Sequence, residues 1–323
     1  MKKAVQFISK RFGLVWVFLL IVIPFVVKNP YYLQLLNSAL ILIIIGVGLN
    51  LLTGFTGQIS LGHAAFVGIG AYISAYLSVN MGLSFWLALP LSGFITGLIG
   101  YLLGRSVLKL KGAYLAIASI GLGEIALLVL ANWTNVTHGA EGFKGIPSPT
   151  FFGLAINTDL RYYWLLVPIV IVVYLLINTL VDSEVGRAFR SIREDETAAE
   201  FMGVDVTKMK VLAFTISTVL AGIAGSLLAH MYGYLSPFSF NFTQSVSYLM
   251  MVLAGGLGFT WGPILGVFFL TFAKEFFRAF NQYQLVIYGL MLVVVIVFMP
   301  KGISGFFTGL STKGIHRSRD NGR

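Results

Sequence analysis

Long apolar runs separated by short polar punctuation set the pattern of this chain. Nine runs stand out: Phe12–Val27, Tyr32–Leu52, Ser60–Val79, Leu83–Leu103, Ala113–Ala131, Tyr162–Val181, Val211–Tyr232, Val246–Phe272 and Tyr283–Met299. Most approach the ~20 residues that an α-helix needs to cross a bilayer's hydrocarbon core. Val246–Phe272 is different. Gly255-Gly256-Leu257-Gly258 and Gly262-Pro263 interrupt it, leaving pieces Val246–Ala254 and Ile264–Phe272 that are each too short to cross alone. Backbone groups freed by such breaks are tolerated in a membrane only inside protein or beside a water-filled cavity. The pattern predicts an all-α, polytopic transmembrane bundle with one Gly-broken or re-entrant segment.

Composition agrees with this. Of 323 residues, 57% are hydrophobic and 11% charged, against roughly a quarter charged in a soluble domain. The net charge of +10 does not point to nucleic acid, because the Lys and Arg residues sit in short clusters between apolar runs rather than on a water-soluble patch. The chain has no cysteine, which excludes disulfides, thiolate metal sites and Cys nucleophiles.

Loop charge sets the orientation. With the N-terminus inside, the inner segments carry four Lys and Arg in residues 1–11, three in 105–111, five in 182–210 and five in 300–323. These are 17 of the chain's 22, as the positive-inside rule requires. Both termini are then cytoplasmic and the number of crossings is even: eight if the broken run is re-entrant, ten if it makes two passes. The start, Met1-Lys2-Lys3 with Lys10-Arg11 before Phe12–Val27, is like a signal peptide. No small-x-small cleavage site follows, so it reads as a retained first span. One transmembrane domain is expected over residues 1–300, with a loop at 182–210 and a basic tail at 301–323.

The longest outer loop, about Asn132–Arg161, holds the triplets Asn132-Trp133-Thr134 and Asn135-Val136-Thr137. Both read as chance in an Asn- and Thr-rich stretch. Two other segments are loosely alike, and each leads into an apolar helix: Leu52-Thr53-Gly54-Phe55-Thr56-Gly57-Gln58-Ile59-Ser60-Leu61-Gly62 and Gly256-Leu257-Gly258-Phe259-Thr260-Trp261-Gly262-Pro263-Ile264-Leu265-Gly266. Paired Gly-interrupted segments point to an internal repeat and to a substrate path, although the match is short.

The 182–210 loop is acidic on balance: Asp182, Glu184, Glu194, Asp195, Glu196, Glu200 and Asp205 outnumber its five basic residues. It reads as helical, with Phe189, Ile192, Ala199 and Met202 on one face and Glu196 an intruder. Arg190 and Glu194 stand one turn apart, and Gly203 falls where a C-terminal glycine belongs. A solvated connecting helix and a docking helix for a cytoplasmic partner both fit.

Thr197-Ala198-Ala199-x-x-x-Gly203 resembles the Glu-Ala-Ala-x-x-x-Gly loop of bacterial ATP-binding-cassette (ABC) importer permeases, with Thr197 in place of the glutamate. Three further segments resemble the branched-chain amino acid permease family: the run from Gly186 to Glu196, the segment Gly57-Gln58-Ile59-Ser60-Leu61-Gly62-His63-Ala64-Ala65-Phe66, and His138-Gly139-Ala140-Glu141-Gly142-Phe143-Lys144-Gly145-Ile146-Pro147. The resemblance extends over about residues 30–300. It implies an inner-membrane subunit of a bacterial importer that moves leucine, isoleucine or valine by alternating access. Its partners would be a second, similar permease, two ATP-binding subunits and an extracytoplasmic substrate-binding protein. Arg187, Arg190, Glu194, Asp195, Ala198, Ala199 and Gly203 would dock the ATPases. The sequence has no Gly-x-x-x-x-Gly-Lys-Ser/Thr phosphate loop, so ATP would bind the partners. No cofactor, metal or catalytic site is expected in this chain.

Within the spans, Glu124 is a functional candidate, because a mid-bilayer charge is expensive. It would meet a substrate ammonium, or else bond to a neighbouring helix as a structural residue. Gln58, Ser60, His63, Gly256 and Thr260 complete the translocation-path candidates, although a lone His at a helix start is more often structural. Gly62, Gly68, Gly70, Gly222 and Gly225 read as close-packing positions. Two alternatives stand beside this reading: a urea or short-chain amide importer permease, and a stand-alone secondary transporter or channel.

Overall fold

A computed structural model describes residues 20–24, 27, 29–110, 112–151, 153–278, 289–290 and 302–305. Residues 1–11, most of Phe12–Val27, nearly all of Tyr283–Met299 and most of the 301–323 tail lie outside them.

The chain folds into helices where the apolar runs place them. Asn29 caps α1 (Pro30–Asn50) by accepting from Tyr31 N–H at 3.0 Å, and Pro30 sits in the first turn, where a missing N–H costs nothing. A π-turn, Leu51–Phe55, extends α1. Then come α2 (His63–Val79), α3 (Phe85–Val107), α4 (Ala113–Asn132), α5 (Asp159–Asp182), α6 (Glu184–Glu194), α7 (Glu196–Phe201), α8 (Val206–Tyr232), α9 (Phe242–Gly255) and α10 (Gly262–Phe277). Residues 57–62 are not helical, so α2 begins three residues later than its apolar run. The all-α polytopic expectation holds. Among the described residues, strands are limited to two-residue pairs on the outer side, where β1 (Phe143–Lys144) pairs with β4 (Tyr234–Leu235) and β2 (Thr150–Phe151) with β3 (Leu154–Ala155).

α8 runs through the centre and packs on α1, α2 and α3. Small residues allow this. A Cβ at Gly70 would overlap the Gly222 backbone, and one at Gly225 would overlap Val67 O. Backbones thus approach where side chains would hold them apart. Ser74 and Ser226 share a buried hydrogen bond of 2.7 Å across the same seam.

The broken run forms two antiparallel arms, α9 and α10, each longer than the pieces expected from its apolar residues. Pro263 stands opposite Gly46, while Arg278, just past α10, donates to Tyr31 Oη at 2.5 Å. The second arm therefore follows α1 over most of its length. Gly255, Gly262 and Gly266 let the arms touch, since a Cβ at any of them would strike the facing backbone. Beyond the last expected span, Ser304 donates to Gly255 O at 2.5 Å. That bond brings residues 302–305 to the same end of the bundle as α6 and α7.

The His138–Pro147 motif caps the opposite end. Phe143 is buried, and Pro147 O accepts from His230 Nδ1 at 2.7 Å, which ties the outer loop to the end of α8.

Candidate functional site

Two groups of residues stand out: a helical pair at the inner face and a polar cluster within the bundle. The helical pair departs from the single helix expected over 182–205. It breaks at Asp195, whose backbone is extended and whose carboxylate accepts from Thr197 N–H at 2.8 Å and Ala198 N–H at 3.0 Å. Asp195 is thus an N-cap that stops α6 and starts α7. α6 is amphipathic, with Phe189 and Ile192 buried. Gly186 passes so close to Val181 that a Cβ would overlap its backbone.

The expected pair between Arg190 and Glu194 is replaced by another. Arg190 donates to Val181 O at 2.9 Å and stands 3.9 Å from the Asp182 carboxylate, anchoring α6 to the end of α5. Glu194 is exposed. Arg187 pairs with Glu184 at 3.2 Å on the open surface, where such a pair contributes little. Ala199 is buried and Ala198 exposed. Gly203 has φ +85°, donates to Glu200 O at 2.9 Å, and lets Val204 N–H close onto Ala199 O at 3.0 Å. That is the expected left-handed helix stop. Met202 is 84% exposed rather than packed with Phe189 and Ile192, because the break at Asp195 resets the helical phase. Glu196 is not a solvated intruder: it forms an ion pair with Lys210, whose side chain is only 4% exposed.

Arg193 joins this pair to the membrane helices. Its guanidinium donates to Gly54 O in the π-turn. Its aliphatic part lies against Gly57, and Gly258 clears space for its head, since a Cβ there would overlap it. Asn50 completes the junction by donating to Phe259 O at 2.8 Å and accepting from Gly258 N–H at 3.1 Å. The two look-alike segments of the sequence therefore meet in space, at the inner end of α1. Gly256 and Thr260 belong to this turn rather than to the cluster around His63.

That cluster lies deeper. Gln58, Ser60 and His63 are buried, at 4%, 3% and 0% exposure. The Gln58 backbone is fixed at both ends, its N–H on Leu52 O and its C=O on Thr53 Oγ1. Yet both side-chain amide atoms of Gln58, the Ser60 hydroxyl and His63 Nδ1 have no partner among the described residues. His63 Nε2 has Ser217 Oγ at 3.5 Å. Ser119 of α4 accepts from Leu61 N–H at 2.9 Å, and Ser245 of α9 accepts from Ala64 N–H at 3.0 Å. Buried polar atoms are normally paired, so four unpaired ones this close together set the cluster apart. Gln58, Ser60 and Ser119 border a cavity of only about 10 Å³, room for one water at most. Glu124 stands apart, exposed on α4.

Arg193, Asn50 and Lys210 were not singled out by the sequence. Arg193 sits within the Gly186–Glu196 motif, and Asn50 and Lys210 are polar residues in or beside apolar runs. Only the fold reveals their partners.

A family model described as branched-chain amino acid transport system / permease component matches residues 31–296. The chain belongs to this family. It is 36% identical to the high-affinity branched-chain amino acid transport system permease protein LivM of Salmonella typhimurium, over 87% of this chain and 71% of that protein. It is 35% identical to LivM of Escherichia coli over the same shares. The permease protein LivH of Salmonella typhimurium is 26% identical over 85% of this chain and 96% of its own length. No solved structure matches. Family and apolar helices together make the chain a multi-pass permease of the bacterial inner membrane, and the family is one of transport subunits rather than enzymes.

Proposed function

We propose that this chain is one of two permease subunits of an ABC importer for leucine, isoleucine and valine. ATP binds two separate ATPase subunits and a binding protein outside the membrane delivers the amino acid. The observation that carries this reading is the junction at Arg193, where a helical pair exposed at the inner face grips both Gly breaks of the bundle. Arg187, Glu194, Asp195, Ala198 and Gly203 present the docking surface, buried Ala199 packs α7 beneath it, and Arg190 holds its base to α5. When the ATPases close, α6 and α7 move, Arg193 pulls the α1 turn and the α9–α10 turn together, and the inlet at Gln58, Ser60 and His63 opens. Gly256 and Thr260 are the hinge of the second arm. The unpaired Gln58 amide and Ser60 hydroxyl take the polar end of the amino acid, while Glu124, exposed on α4 apart from them, keeps the structural alternative of bonding to a neighbouring helix. This chain holds no cofactor and performs no chemistry of its own.

The test is leucine uptake by the reconstituted four-subunit membrane complex with its binding protein. Uptake that needs both ATP and the ATPase subunits is expected. Equal uptake without them would identify a stand-alone secondary transporter. Excess urea should leave leucine uptake unchanged; strong competition would move the substrate to the short-chain amides.

A further inference from the structure

α4 is the least enclosed of the long helices, with only Leu115, Ser119 and Leu130 buried. Its exposed residues fall on one stripe at helical spacing, among them Tyr114, Ile117, Gly121, Glu124, Ile125, Leu128 and Val129. Ile117, Ile125 and Leu128 are 65%, 59% and 56% exposed. Glu124 sits at its centre, roughly 12–16 Å along the axis from either end of the helix at about 1.5 Å per residue. A carboxylate at that depth does not face lipid tails; intramembrane ionisable groups face a bundle interior or a water-filled path. The comparable outward stripe of α5, with Val172, Leu175 and Leu176 exposed, has no ionisable residue at that depth and suits lipid.

We infer that the α4 stripe is the surface against which the second permease subunit closes. The partner face is an apolar transmembrane helix carrying a hydrogen-bond donor at the depth of Glu124. Two observations support this occupant over lipid. The charge at the centre needs a polar counterpart that acyl chains do not offer. Gly121, one turn before Glu124, faces open space, since a Cβ there meets nothing within 4 Å, and small residues at such points let a second helix approach. The other edge of α4 borders the inlet, through Ser119 on Leu61 N–H, so the closed seam places the transport path between the two subunits. This inference rests on the two-permease reading above.

The chain's lack of cysteine suits a test with single cysteines and a photoactivatable thiol cross-linker, applied to the assembled complex. Ile117→Cys and Ile125→Cys should give a product with the combined mass of the two permeases, and Leu176→Cys on α5 should not. Products confined to lipid or to this chain alone at the α4 positions, or an equal yield from Leu176→Cys, would overturn the assignment. Glu124→Lys, which opposes a cation to the donor, should lower the co-purified second permease at least fivefold at unchanged abundance of this chain. Unchanged co-purification would contradict the matched donor. If ATP-driven uptake persists while α4 never reaches the second permease, the seam is wrong and the permease reading stands.

Discussion

The guanidinium of Arg193, in the last turn of α6, donates to the carbonyl of Gly54 in the π-turn that ends α1. One side chain thus connects a helix outside the membrane to a break within it. Gly258 of the second broken segment lies beside the same guanidinium, and Asn50 bonds that segment back to α1. A displacement of α6 reaches both breaks without passing through an intact helix.

Asn50 should be a stability residue. Asn50→Ala leaves Gly258 N–H and Phe259 C=O without the partners they have at 3.1 and 2.8 Å. The loss should be about 1–3 kcal/mol, read as a lower unfolding temperature of the detergent-purified chain. Asn50→Asp keeps the acceptor and loses the donor, so it should fall between. Wild-type melting of Asn50→Ala would remove Asn50 from the junction.

The α7 surface should fail differently. Ala198→Arg puts a bulky charge on the exposed face of α7. Gly203→Pro removes the N–H bonded to Glu200 O and is incompatible with φ +85°. Both changes lie outside the spans, so membrane abundance should stay near wild type while ATPase activity no longer responds to substrate-loaded binding protein. Normal stimulation in either variant would count against docking at α7.

Lys210 and Glu196 form an ion pair with the lysine almost fully enclosed. Removing the lysine takes away the enclosed member of the pair and its attraction to the Glu196 carboxylate. Lys210→Met should therefore destabilise the chain by about 3 kcal/mol, toward the low end for buried pairs because Glu196 is partly exposed. Glu196→Gln added to Lys210→Met should cost less than the sum of the two single changes, since the two residues are coupled. A thermal-unfolding cycle over the four variants measures it; strictly additive effects would deny the coupling.

Much of the bundle was legible in the sequence because length and apolarity alone decide which segments cross. Tyr32–Leu52 and Ala113–Ala131 became α1 and α4 with ends shifted by one or two residues. Gly203 was legible because its φ is one that glycine favours. The site was less so. Asp195 reads equally as a helix residue or a cap until its carboxylate is seen on Thr197 N–H. Once it caps, Met202 leaves the buried face and Glu196 turns to Lys210, fourteen residues on. Arg190 has a helix-spaced partner in Glu194, but the end of α5 comes closer and wins. The meeting of Asn50 with Phe259, 209 residues apart, has no local signal at all.

Energy coupling is carried by Arg193 if its bond to Gly54 links α6 to the bundle. Its measurement is the number of ATP molecules hydrolysed per leucine imported by the reconstituted complex, wild type against Arg193→Ala, with Arg193→Lys as the charge-retaining control. A charged hydrogen bond of roughly 1.5–3 kcal/mol converts to about a tenfold to hundredfold effect. Arg193→Ala should therefore assemble with its ATPases and hydrolyse ATP while importing at least tenfold less leucine per ATP, and Arg193→Lys should recover part of the loss. An unchanged ratio in Arg193→Ala would contradict it.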